Sequence, residues 1–463
     1  MANNVTRQLC ASTYLTPDLS DKIINFVKNP YKAIVHPPGI DPVVLLNHAL
    51  NARRQQRQFY AILFFPALAC VICAILTELS IAFIFFIIIY VAVIVRHFVN
   101  KQFIKEHFLS GNFKYDFSYE GAGRELVAQL QENTTKNVVY YSGYSPFVGC
   151  GYEIGGWSFV IDIDKGKTEL GHTETPKPFL EDELYYKVSQ ELLQLKVENL
   201  TIDNKIYFNG RELRDNKEIL PNILAHPVTN LSSEYTKKAM NSGVQNARFY
   251  KMIQVTGWEG DLVVFAFLRF KKGEKTLFVE NNYYILPPIQ EQYRAVDRIK
   301  QRSGVNYFLK LLAKMFFMAI IEGFRSIAYV NGQINKAVSG IFGTSPAEKL
   351  RKEVKISPDY DYGASSSIRE MVCQSNYLQH FQRLDQEQFL KTIEKRIFNA
   401  ITEFLDSKNI STEEFKERES KVLNNGIIVQ SGAVFNGQNV ATGLGAAINH
   451  FINPGKSANT KAK

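Results

Sequence analysis

The sequence predicts an α+β protein whose N-terminal part folds as a transmembrane helical hairpin. Three observations lead there. Residues 59–95 hold two uncharged apolar stretches parted by one glutamate, Glu78. Residues 112–290 carry apolar residues at strand spacing between turn sequences, with helical spacing in places. Beyond residue 290 the spacing is again mostly helical. Hydrophobic residues make up 46% of the 463 and charged residues 21%, a composition that builds a buried core.

Residues 1–58 read as a cytoplasmic helical prefix. In "DLSDKIINFVKNP", Ile23, Ile24 and Val27 share a helix face and Pro30 follows. In "HPPGIDPVVLLNHALNARRQQRQ", Asp41 is placed to cap a helix with Pro42 at its first position. The hairpin, residues 59–99, comes next. Phe59–Thr77 runs 19 residues without a charge, and Leu79–Val95 has 13 Leu, Ile, Val or Phe among 17 residues. Each is about long enough for a hydrocarbon layer ~30 Å thick. The second alone favours insertion by about 4–8 kcal/mol. Glu78 costs little at the tip between the spans, and Pro66 is tolerated as a kink. Arg53, Arg54 and Arg57 precede the spans and Arg96, Lys101 and Lys105 follow them, whereas the tip has no Lys or Arg. Positive flanks stay inside, so both termini are expected in the cytoplasm of a multi-pass protein of the plasma (inner) membrane. The five Asn-x-Ser/Thr triplets then carry no glycan. Neither span holds an internal charge, His, Asn or Gln, so a proton path or ion filter has no residues to run on. Pro66, Cys70 and Ala74 recur at four-residue spacing, a small-residue face suited to packing within the hairpin or to a homo-oligomer formed through it.

Residues 112–290 predict a mixed α+β domain. Helices are expected over 123–131 and 183–195, and strands over 138–142, 157–163, 196–202 and 205–209. Strands at 248–256, 261–271 and 276–286, with "GWEGD" and "KKGEK" as turns, form an antiparallel meander.

The stretch "NVVYYSGYSPFVGCGYEIGGWSFVIDID" raises the question of chemistry. A dinucleotide cradle needs G-x-G-x-x-G leading into a helix; here the third glycine comes one residue late and a strand-like segment follows. A nucleophile elbow needs a backbone N–H after the serine, and Pro146 supplies none to Ser145. A Cys150–His172 pair is chemically sound, yet nothing in the sequence brings the two together. What remains is a structured β-loop-β corner whose Tyr144, Pro146, Phe147, Gly149, Cys150, Gly151 and Trp157 are candidates for ligand recognition. No residues are assigned as catalytic. No metal site and no cofactor motif are read from the sequence.

Residues 291–356 form a basic and apolar helical segment. It has 12 Lys and Arg against 5 Asp and Glu. Its core, "YFLKLLAKMFFMAIIEGF", is interrupted by Lys310 and Lys314, and a third span would place the C-terminus outside. It reads either as a core helix or as an interfacial helix with those lysines snorkelling toward anionic lipid headgroups. "SPDYDYGASSS" at 357–367 has linker composition. Residues 368–452 predict C-terminal helices and glycine-rich β hairpins. Among these, Asp385 and Gln388 are placed as a capping box for a helix to Phe404. Residues 453–463 predict a disordered tail.

The five cysteines form no disulfide framework, and no nucleic-acid-binding module accompanies the net charge of +9. "GIDPVVLLNHALNARRQQRQ", "SGYSPFVGCGYEIGGWSF" and "FKERESKVLNNGIIVQSGAV" resemble uncharacterised bacterial two-span membrane proteins with a glycine-rich "SGYSPFVG" loop after the hairpin. The resemblance implies a shared architecture and brings no activity with it. In outline the chain is also similar to bacterial defence effectors with two spans and a cytoplasmic sensing domain. The expected function is a membrane-anchored cytoplasmic interaction or sensing protein. An oligomeric membrane-perturbing effector and an enzyme with an unrecognised site are the alternatives.

Overall fold

The computed structural model describes residues 4–425, apart from 170–171, 242–243, 245, 302–304 and 343–344. The glycine-rich hairpins expected near the C-terminus and the tail after them lie outside the described residues.

Two short helices, α1 (Asn4–Leu15) and α2 (Pro17–Val27), precede the long α3 (Pro42–Ile75) and α4 (Leu79–His107). The Asp41 carboxylate accepts from the N–H groups of Val43 and Val44 at 2.9 and 3.1 Å, with Pro42 at the first helical position as expected. Both long helices extend past the apolar spans. Their polar ends pack with α1 and α2 in a core of Leu9, Ile23, Ile24, Leu45, Leu46, Ala49, Ile104 and Phe108. A 3-10 segment, Glu291–Gln301, closes that core from far along the chain. Arg7 pairs with Asp297 at 2.6 Å, Gln8 donates to the same carboxylate, and the Ser12 hydroxyl donates to the Tyr293 carbonyl.

The next elements are α5 (Glu125–Asn133), β1 (Val138–Tyr141), β2 (Tyr152–Asp162), the small hairpin β3 (Thr168–Glu169) and β4 (His172–Thr173), α6 (Glu181–Leu193), β5 (Leu200–Asn209), α7 (Ser233–Asn241), β6 (Ala247–Gly257), β7 (Leu262–Lys272) and β8 (Thr276–Leu286). Six strands form one sheet in the order β1-β5-β6-β7-β8-β2, antiparallel throughout except for β1 beside β5. The α+β expectation and the meander are therefore present. Two expected strands, 196–202 and 205–209, are one. Asp203 and Asn204 look like a turn but stay extended because they pair with Met252 and Lys251 of β6. The β6–β7 ladder stops at Lys251↔Leu268, although both strands continue outward from there.

After the 3-10 segment come α8 (Val305–Phe342), α9 (Pro346–Ile356), α10 (Ile368–Met371), α11 (His380–Ser407) and α12 (Glu413–Asn425). The sequence expectation of a linker at 357–367 is corrected here. Tyr360 and Tyr362 are buried, and Ala364 exchanges backbone hydrogen bonds with Tyr140 and Ser142 at 2.8 and 2.9 Å. The segment lies against the open side of β1 because Gly210 and Gly363 let the backbones touch; a Cβ on Gly210 would meet the Gly363 nitrogen at 2.2 Å. Helix α11 begins five residues before Asp385, with Gln379 and Gln382 forming its capping box. Asp385 instead accepts from the Trp258 indole N–H at 2.9 Å.

Helices α6, α11 and α12 cover one face of the sheet, over Trp157, Phe159, Ile253, Val264 and Leu268. Within that face the Trp157 indole donates to the Tyr283 hydroxyl and to Glu394 of α11, and Tyr283 donates to the same carboxylate at 2.7 Å. Burial raises the Glu394 pKa, against the lowering effect of those two donors. A carboxyl whose folded pKa is raised contributes stability at low pH, which is lost as pH rises through the folded value. Glu394→Gln keeps an acceptor for Trp157 and Tyr283 without the charge. It should gain stability relative to the parent as pH rises above the ordinary glutamate range, whereas Glu394→Ala should lose about 1–3 kcal/mol by leaving the Tyr283 hydroxyl without its acceptor. Denaturant unfolding at several pH values measures both.

Candidate membrane interface and glycine loop

The hairpin presents a bare apolar surface. Helices α3 and α4 reach mean hydropathies of 2.2 and 2.7 over 18 residues, and only 17% of each stretch is buried in the protein. The core helix of a water-soluble domain would be mostly covered. Ile75, Leu76, Leu79 and Phe83 stand exposed around the tip, and Phe65 is exposed further along α3. Two such helices are compatible with a membrane-embedded hairpin. The Cys70 thiol donates to the Ala82 carbonyl at 3.4 Å across the hairpin, so Cys70 of the small-residue face packs within the hairpin.

Helix α8 lies over the inner half. Leu311, Met315 and Ala319 are buried with Leu63 and Ala67 of α3 and Ile89 and Val93 of α4. The Tyr90 hydroxyl donates to the Leu312 carbonyl at 3.2 Å, Phe316 meets Phe86 edge-on, and Tyr329 meets Tyr60. These contacts use about two turns each of α3 and α4 but about five of α8. The helix therefore crosses the hairpin obliquely and does not run along it. Leu311, Met315, Ala319, Glu322 and Ser326 form the stripe turned to the hairpin. Phe317, Ile321 and Phe324 form a second apolar stripe that stands exposed, with Phe317 edge-on to Phe316 of the same helix.

The basic residues gather at this level. Arg53 pairs with Asp21 at 3.1 Å, while Arg54 and Arg57 are exposed on α3. Arg96 donates to the Gln56 side chain and stacks over the Phe59 ring, 4.0 Å from its centroid. Lys101 and Lys105 are half-buried one and two turns on. Lys310 and Lys314 project from α8 into solvent. One residue the sequence reading passed over is Glu322. It is 6% exposed, pairs with Arg325 at 3.0 Å, and keeps one oxygen without a partner among the described residues. Its signal was available: it is the single acid between Phe308 and Lys336.

The glycine loop is built around another overlooked acid. The N–H groups of Gly149 and Gly151 donate to Glu370 at 3.2 and 3.1 Å, and the Ser366 hydroxyl and Ser367 N–H join them. Loop backbone that resembles an anion cradle thus holds a carboxylate of the chain itself. Burial still raises the Glu370 pKa, outweighing those donors. Phe147 stacks on Phe267, with ring centroids 4.1 Å apart, and stands edge-on to Tyr207 and Tyr250. Cys150 is buried beside it, and burial pushes its thiol up, away from the thiolate. His172 sits exposed on β4. Pro146 is half-buried and Tyr144 is 99% exposed. Trp157 belongs to the opposite face of the sheet, under α11. The structure therefore brings Phe147, Gly149, Cys150 and Gly151 together, leaves Tyr144 at the tip and separates Trp157 from them. Among the described residues no cluster of three His, Cys, Asp or Glu side chains is arranged to hold a metal ion.

Two of these glycines differ in what surrounds them. Gly151 has φ +83°, and a Cβ there would meet the Ile285 carbonyl oxygen at 2.2 Å; Gly143 has φ +87° and open space around it. Gly151→Ala should destabilise by about 2–4 kcal/mol, from backbone strain and overpacking together. Gly143→Ala should cost about 1 kcal/mol, from strain alone. Thermal unfolding in detergent compares them.

No curated protein and no solved structure matches the chain. A family profile does match, from Gly156 within β2 to residue 437, taking in β5 to β8, α8 and α11 but leaving out the hairpin and β1. Over that majority of its length the sequence carries the AbeC-like domain, and the chain belongs to that family.

Proposed function

We propose that the protein is a membrane-anchored cytoplasmic interaction or sensing protein. Its hairpin is the anchor in the plasma (inner) membrane, both termini lie inside, and the sheet domain is the part that meets a partner or ligand. The observation that carries this reading is α8. It belongs to the family domain, crosses the hairpin at its basic end, and joins the sheet through the 3-10 segment that also packs on α1. A change in the sheet domain is thereby transmitted to helices at the membrane surface.

Of the two sequence readings of this segment, the exposed stripe favours the interfacial one. A core helix has no use for Phe317, Ile321 and Phe324 on its outer side, whereas a helix lying at the headgroup level buries them among acyl chains. Lys310 and Lys314 then reach the anionic headgroups, each worth about 1 kcal/mol.

Full-length protein carrying Phe317→Trp, reconstituted in bilayers with brominated acyl chains, should show quenching well above that of the parent, whose own tryptophans, Trp157 and Trp258, lie in the sheet domain. Fluorescence equal to that in unbrominated lipid would rule out the interfacial placement. A reporter fused after Lys463 should be active only as a cytoplasmic fusion.

A further inference from the structure

The opening between β6 and β7 is a built feature of the sheet. Their ladder ends at Lys251↔Leu268, yet β6 begins at Ala247 and β7 runs to Lys272. The parted ends enclose a cleft of about 300 Å³. Parted strands normally leave unpaired backbone groups, a costly state for a half-buried edge. Here α6 supplies substitutes. The Tyr185 hydroxyl accepts from the Phe270 N–H at 2.8 Å, and Glu181 accepts from the Lys272 N–H at 3.1 Å. The sheet is held apart at this end by side chains dedicated to that task.

The charge of the opening is one-sided. Tyr185, Phe249 and Phe270 are among the residues that wall it on the α6 side, and Arg248, Arg269 and Lys271, which alternate with Phe249 and Phe270 along β6 and β7, line it from the other face of the sheet. Arg269 has Glu280 at 3.7 Å, a carboxylate it shares with the Tyr250 hydroxyl. Arg248 is exposed, and among the described residues no carboxylate forms an ion pair with it. Lys251 sits at the vertex where pairing begins. It is 7% exposed, its ammonium lies 5.7 Å from the centre of the Tyr185 ring, and it too has no acidic partner among the described residues. Burial lowers its pKa to about 8. A buried lysine facing no carboxylate is costly, and it becomes favourable when an anion enters beside it.

We propose that this parted-strand cleft binds a small phosphate-bearing molecule, with Arg248 and Arg269 forking its oxygens and Lys271 adding a third charge. Guanidinium groups match phosphate oxygens two at a time, and three cations around one opening suit a multiply charged group better than a single carboxylate. The site is independent of the membrane-anchor reading, because it lies at the parted ends of β6 and β7 and needs no lipid contact.

The test uses full-length protein in phosphatidylcholine nanodiscs, which carry no net anionic lipid, with pyrophosphate as the probe. Calorimetry should show saturable binding, weakened at least tenfold by Arg248→Ala and less by Arg248→Lys. Because Arg248 is exposed, the unliganded variant should unfold at the parental temperature. In the parent, NMR of labelled lysines should show the Lys251 titration moving upward with pyrophosphate, since an anion favours the charged form. Absence of saturable binding, equal binding by Arg248→Ala, or an unmoved Lys251 titration would each overturn the proposal. Succinate binding as tightly as pyrophosphate would overturn the phosphate assignment.

Discussion

Removing the apolar band of α3 and α4 from water is the constraint around which the molecule is arranged. The protein itself covers only a small part of that band. The cover it does provide is the Leu311–Met315–Ala319 stripe of α8, set against Leu63, Ala67, Ile89 and Val93. Gly323 faces Ile89 and Ala67 at the crossing, where a Cβ would meet them at 3.8 and 3.9 Å, an ordinary contact, so the packing does not depend on a glycine there. The one acid in this region is neutralised by Arg325, so the crossing introduces no uncompensated charge. From this point the chain turns back through polar helix ends into the sheet domain, and each half is closed by residues from the other.

The sheet domain shows a consistent way of handling buried carboxylates. Glu370 is received by backbone N–H groups and serines, Glu394 by an indole and a phenol, and Asp261 by Arg294. Arg369, fully buried, gives its Nη2 to the carbonyls of Gly260, Asp261 and Pro287 and so pins α10 to the ends of β7 and β8. Each buried charge links segments distant in sequence. These links specify the arrangement of layers, and buried ionic groups serve that role better than they serve raw stability.

How much of this was legible depended on the length scale of the signal. The hairpin was readable because 36 uncharged residues in two runs admit few alternatives, and Asp41-Pro42 announced the start of α3 correctly. The meander was readable from its turns. The continuity of β5 was not, because Asp203 and Asn204 favour turns and only pairing with β6 keeps them extended. The 357–367 segment misled by composition: its one glycine, Gly363, permits close backbone approach to β1 and Gly210, and Ser366 and Ser367 donate to Glu370. In the glycine loop the residues singled out were real structural features, but their partner, Glu370, lies more than two hundred positions away. Single-sequence patterns carry no information about such pairings. Glu322 and Lys251 were legible only as isolated charges in apolar surroundings, a signal that gains meaning once burial is known.

The bond between Arg7 and Asp297 has a consequence for biogenesis. A ribosome delivers α1 and α2 long before it delivers the 3-10 segment that completes their core, and α3 and α4 emerge in between. Through that interval Leu9, Val5 and Cys10 have no Tyr293 or Val296 to rest on. The amino-terminal core is therefore completed only after translation has passed residue 297.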